Sequence, residues 1–124
     1  MQIDPDLIRK IMLDLEKEHR GGTQAIFNSD VEGYSSDDVV GHYYHLIESE
    51  FIDASVTGSG DLNLKPRGIL PKGHDFLTAV RDEKIWNRTK DGALKAGGGT
   101  VDLLRDLAKG YLKKKIEEST GIDL

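Results

Sequence analysis

The run SSDDVVGHYYHLIESEFIDASVTGSGDLNLKPRGILPKGHDFLTAV, residues 35–80, decides the fold. Ser35 stands three residues ahead of Asp38 in capping-box form, so a helix begins there. At about 100° per residue, Val39, Val40, Tyr43, Leu46, Ile47 and Phe51 share one arc of that helix. Asp37, Asp38, His42, His45, Glu48 and Ser49 share the other. Glu50 would fall inside the apolar arc, so the helix is expected to end near Ser49 and Phe51 to Val56 to run extended. Thr57, Gly58, Ser59, Gly60 and Asp61 make a turn, and Leu62, Leu64, Ile69 and Leu70 supply a returning strand. Pro66 lacks an amide hydrogen and belongs at an edge or a bulge. Pro71 then opens a third helix with Phe76, Leu77 and Val80 on one face, extending towards Ile85 and Trp86. The order is helix, β-hairpin, helix.

Upstream, Asp4 as N-cap and Pro5 at the first helical position start a helix running to about His19. Leu7, Ile8, Ile11, Met12 and Leu15 line its apolar side, and Leu13 falls on the exposed side. Gly21 and Gly22 end it, and Thr23 to Phe27 reads as a short strand. Downstream, Asp91, Gly92 and the run Gly97 to Gly99 mark a connection. Thr100 caps a last helix to about Ser119, whose apolar residues, Val101, Leu103, Leu104, Leu107, Ala108, Tyr111, Leu112 and Ile116, cover an arc wider than one packed stripe. Such a helix needs two neighbours, either within its own domain or on a symmetry mate. The organisation read from this is a domain over residues 1–90, then a Gly-rich connection and terminal helix over 91–124.

With 124 residues the chain suits a single domain with one core. A formal charge of -5 gives no general attraction to phosphate backbones. Zero cysteines exclude disulfides, thiolate metal sites and a cysteine nucleophile, and a cytoplasmic location fits best. No apolar run has the length of a membrane helix, and no signal-peptide core follows Met1.

Leu7 to Ile11, Tyr44-His45-Leu46 with Phe51-Ile52, and Gly73-His74-Asp75-Phe76-Leu77 followed by Arg81, Asp82, Ile85 and Trp86 resemble an uncharacterised phage- and prophage-associated family, a domain of unknown function. The order helix, wing, Gly-x-x-Phe-Leu helix is also similar to winged-helix regulators. The resemblance implies an α+β, winged-helix-like fold, mostly helical with a small antiparallel sheet and an added C-terminal helix. The chain departs from those regulators at Leu70-Pro71, where they carry a Leu-Thr cap.

For a winged helix, duplex recognition places the helix before the wing in the major groove. Here the charge opposes it. From Gly21 to Leu64 there is no lysine or arginine, while Asp30, Glu32, Asp37, Asp38, Glu48, Glu50, Asp53 and Asp61 are all acidic. Lysine and arginine resume at Lys65, Arg67 and Lys72 on the outgoing strand and beyond, and Lys109 with Lys113 to Lys115 reads as the cationic end of a helix. Candidate contact residues are therefore His42, Tyr44, His45 and Glu48 on the helix and Lys65 and Arg67 on the wing, with an unidentified protein favoured over DNA as partner. Asp38, His42 and His45, at i, i+4 and i+7, form a weaker metal-ligand alternative. The motif residues Gly73, His74, Asp75, Phe76, Leu77 and Trp86 are read as structural. Neither a nucleophile with its base nor a phosphate-binding loop is recognisable, so the expectation is a non-enzymatic binding protein without cofactor. A DNA-binding dimer built on the 100–119 helix is its main rival, and a metal-dependent enzyme a lesser one.

Overall fold

The computed structural model describes residues 2–18, 30–57 and 63–122. Its elements are α1 (Pro5–Glu18), α2 (Ser36–Glu48), β1 (Ile52–Thr57), β2 (Asn63–Ile69), α3 (Pro71–Val80), α4 (Glu83–Lys95) and α5 (Val101–Thr120). Over the described residues the protein is mostly helical with one two-stranded antiparallel sheet, an α+β arrangement. The strand anticipated at Thr23–Phe27 and residues 58–61 of the anticipated turn lie outside the described residues, while Thr57, expected to open that turn, ends β1.

Asp4 caps α1, its Oδ1 accepting from the Asp6 and Leu7 amides at 3.0 and 3.3 Å. The apolar side Leu7, Ile8, Ile11, Met12 and Leu15 is buried, and Leu13, expected outside, packs half-buried at the edge of the core. Ser35 caps α2 by accepting from the Asp38 amide at 3.1 Å. That helix ends where Glu50 would have entered the apolar arc, by a Schellman motif. The Glu50 amide donates to the Ile47 carbonyl at 3.1 Å and the Phe51 amide to the Leu46 carbonyl at 2.9 Å. Phe51 and Leu46 are both buried, completing the apolar contact of the motif.

β1 and β2 pair from Ile52–Ile69 to Thr57–Asn63, with a register shift after Asp53 that leaves Arg67 unpaired opposite it. The irregularity falls beside Pro66, as a residue without an amide hydrogen requires. Beyond the hairpin, the single helix expected through Trp86 is two. The Asp82 carboxylate accepts from the Lys84 and Ile85 amides at 2.8 and 3.1 Å and starts α4 afresh. Asp91 and Gly92, expected in the connection, lie inside α4. Gly92 permits a close helix crossing, since a Cβ there would stand 3.0 Å from the Tyr111 hydroxyl. Gly97, at φ 85°, closes α4 with a Schellman motif of its own.

Helix α5 packs on both α3 and α4, which accounts for its wide apolar arc. At the centre, Phe51, Phe76 and Trp86 form a chain with ring centroids 5.6 and 6.1 Å apart, the second pair edge to face. Gly73 fits here because nothing larger can. A Cβ would stand 2.3 Å from the Phe51 carbonyl oxygen and 2.8 Å from Ile69 and from Met12.

Candidate functional site

The N-terminal turn of α1, the segment before α2, α2 itself and the C-terminal half of α4 enclose a cleft of about 1050 Å³. Its floor is a hydrogen-bonded network centred on His42. The Asp4 amide donates to His42 Nε2 at 2.8 Å, so the imidazole proton sits on Nδ1, which donates to the Asp38 carbonyl at 2.6 Å. The second carboxylate oxygen of Asp4 accepts from the Tyr34 hydroxyl at 2.9 Å. Tyr34 is pushed up to about 12, first by desolvation of its ring, then by that bond and the charges of Asp4 and Asp6. Asp6 reaches the opposite wall, accepting from the Trp86 indole at 3.0 Å and pairing with Lys90 at 3.2 Å. Lys90 and Arg9 lie over the Trp86 ring at 5.8 and 5.5 Å from its centroid.

The walls carry Asp4, Asp6, Asp38 and Asp91 against Lys90 alone among lysines and arginines, and Lys90 is already paired. Asp38 on α2 and Asp91 on α4 have no hydrogen-bond or ion-pair partner for their carboxylates among the described residues. Ile3 and Leu94 add apolar surface at the rim, and Leu94 is 75% exposed. A smaller cleft of about 300 Å³ on the far side of α1 is also lined by carboxylates, including Asp14 and Glu32. There Tyr43 is pushed up to about 12, chiefly by burial and then by Glu18 and Asp14.

The residues anticipated as one contact face do not converge. His42 is 2% exposed and belongs to the cleft floor, not to the outer face of α2. It lies about 60° from Val39 and about 40° from Leu46 on the helical wheel, close enough to the apolar arc to be drawn under. Tyr44 and His45 are half-buried, the Tyr44 hydroxyl without a hydrogen-bond partner among the described residues, and Glu48 is exposed. Lys65 is exposed on β2, and Arg67 is held by Asp53 at 3.0 Å. Neither cleft is lined by Tyr44, His45, Glu48, Lys65 or Arg67. The metal alternative fails on geometry: both His42 nitrogens are committed to backbone groups, and no described histidines, aspartates or glutamates form a metal-holding group.

Within the motif, Gly73, Phe76 and Leu77 are buried, while His74 and Asp75 are exposed and Asp75 pairs with Lys109 at 3.2 Å. Trp86 is buried in the core, in keeping with its structural reading. The sequence reading missed Asp6, Tyr34, Asp91 and Leu94 because they line one cleft only once the start of α1, the segment before α2 and α4 are brought together. The one advance signal was two aspartates, Asp4 and Asp6, flanking Pro5 at a helix start. No described helix is long and apolar enough to cross a membrane.

The model of the family described as "Hypothetical protein (DUF2513)" matches residues 2–99, and the chain belongs to that family. An "Uncharacterized protein" of Haemophilus influenzae (strain ATCC 51907 / DSM 11121 / KW20 / Rd) is 31% identical over 88 residues, covering 68% of this chain and 72% of the relative. No solved structure matches it.

Proposed function

For a member of this family with such a cleft, we propose a non-enzymatic binding role in which the partner is another protein. The supporting observation is the cleft between α1, α2 and α4, concave, acidic and edged by exposed apolar surface. Its polar floor is hydrogen-bonded to itself, which suits a rigid docking surface better than a reaction centre. A duplex is the poorer partner. The α2 side carries uncompensated carboxylates, and Arg67, the hairpin's arginine, is neutralised by Asp53. The resemblance of the Gly73–Leu77 motif supports a phage or prophage setting for this role, and the lack of cysteines suits the cytoplasm.

Two measurements test the reading together. Fluorescence anisotropy of a labelled random duplex should show no binding even at low salt. Affinity capture from host lysate should retain a protein that a variant with Asp38, Asp91 and Leu94 all replaced by alanine loses. Duplex binding that weakens steeply with salt would replace this reading with a winged-helix regulator contacting phosphates through Lys65.

A further inference from the structure

Resting on the protein-binding reading, we infer that the cleft takes a basic segment of its partner, one that carries an apolar side chain alongside its cationic ones. Asp38 and Asp91 face the same cleft from two different helices, and each lacks a partner for its charge. An acidic cleft of this kind raises the local concentration of cations and strengthens their hydrogen bonds relative to open water. Lys90 cannot neutralise either carboxylate, because its ammonium is held between Asp6 and the Trp86 face. Arginine suits both positions, since its fork meets a carboxylate with two parallel bonds. Leu94, 75% exposed, and the half-buried Ile3 line the same cleft and add an apolar seat to it. Charge from two helices and apolar surface in one cleft define an occupant that is amphipathic as well as positive. A nucleic acid meets neither condition, and a simple inorganic cation meets only the first.

The test uses the full chain and a fluorescein-labelled Ala-Arg-Leu-Arg-Ala peptide, read by anisotropy. Companion peptides replace both arginines by glutamate or the leucine by glycine. Binding is expected for the first peptide, none for the glutamate version and weaker binding for the glycine version. Asp38→Asn and Asp91→Asn should each weaken it about fivefold, the pair about twentyfold, and Leu94→Ala should restore equality between the leucine and glycine peptides. These side chains carry no hydrogen bond of the fold among the described residues, so the variants fold. Glu32→Gln, in the smaller cleft, should leave binding unchanged.

Equal binding of the leucine and glycine peptides to the unmodified protein reduces the effect to diffuse charge and overturns the inference. So does an undiminished affinity in the Asp38/Asp91 double variant. Self-association of the protein alone that Asp91→Asn abolishes would assign the cleft to a second copy and overturn it too. If the peptide fails while a lysate protein is still captured, the basic-segment assignment falls and the protein-binding role stands. Steep, salt-dependent duplex binding removes the role itself.

Discussion

Gly73 and His42 both sit where α2 or its exit meets a neighbouring element, and they secure the two junctions by opposite means. At Gly73 the α3 helix presses directly against the Phe51 carbonyl, which already accepts from the Leu70 amide at 2.9 Å. Position comes from exclusion of volume. At His42 the elements are held by directed bonds, from the Asp4 amide into the ring and from the ring into the Asp38 carbonyl. Position comes from matching donors to acceptors, and space is left for a cleft. The dry junction should tolerate no added atom, and the wet one no lost partner. The proposed binding role draws on the second kind, because a packed corner has nothing left to offer a ligand.

The largest effect should follow from adding one methyl group at the packed corner. Gly73→Ala must displace a hydrogen-bonded backbone carbonyl, and overpacking of this kind costs about 3 kcal/mol. For a domain of this size that is a fall in Tm of about 10 °C, measurable by circular dichroism. Gly99→Ala beside the cleft is the control. Its Cβ would meet Ala93 and Leu103 at 3.5 Å, ordinary contact, and Tm should hardly move. Equal losses at both sites would erase the contrast.

His42→Leu keeps the bulk at the wet junction and deletes its bonds. The Asp4 amide and the Asp38 carbonyl then lose their ring partner, at a cost of about 2 kcal/mol in denaturant titration. Hydrogen exchange at the Asp4 amide should accelerate selectively, whereas in Gly73→Ala the disturbance should centre on α3. If His42→Leu is as stable as the parent, the network is not what fixes α1 on α2.

This contrast also separates what was legible from what was not. The capping residues Asp4, Ser35 and Thr100, the five buried residues of α1, and the hairpin bulge near Pro66 follow from local chemistry, and all are found. The α3–α4 break was missed because Asp82 works as a cap by its own conformation, which apolar spacing does not reveal. His42 was misplaced because polarity was taken to imply exposure. A histidine can be buried whenever both ring nitrogens find backbone partners, and here one of them, the Asp4 amide, comes from a residue remote in sequence. Gly92 reads as a breaker until Tyr111 is seen beside it. The cleft needed three helices in place, so no stretch of the chain announced it.

A smaller effect, opposite in sign, comes from comparing helix ends. α2 and α4 close with the same Schellman hydrogen bonds, but the left-handed position is Gly97 in α4 and Glu50, at φ 60°, in α2. A side chain there crowds the following carbonyl, a strain glycine avoids. Glu50→Gly should therefore raise stability by about 0.7 kcal/mol, and Gly97→Glu should lower it by a similar amount. Glu50 lines neither cleft, so peptide binding should be untouched.

The last effect is visible only in alkali. Tyr34 and Tyr43 are both raised from 10.0 to about 12, and burial is the leading cause for each. The neutral phenols are the forms the fold prefers, so their stabilisation is complete below about pH 10 and is lost as pH rises towards 12. They differ in the second cause. For Tyr34 it is the hydrogen bond donated to Asp4, whereas for Tyr43 it is the charge of Glu18, followed by that of Asp14. Asp4→Asn keeps a capping oxygen but removes the charge facing Tyr34. In a tyrosinate absorbance titration, Tyr34, assigned by the loss of its step in Tyr34→Phe, should then ionise part of the way back towards pH 10, with Tyr43 unmoved. A joint shift of both would mean that Asp4→Asn has loosened the whole of α1. An unchanged Tyr34 would show desolvation acting alone, leaving the wet junction held by the His42 bonds without help from the Asp4 carboxylate.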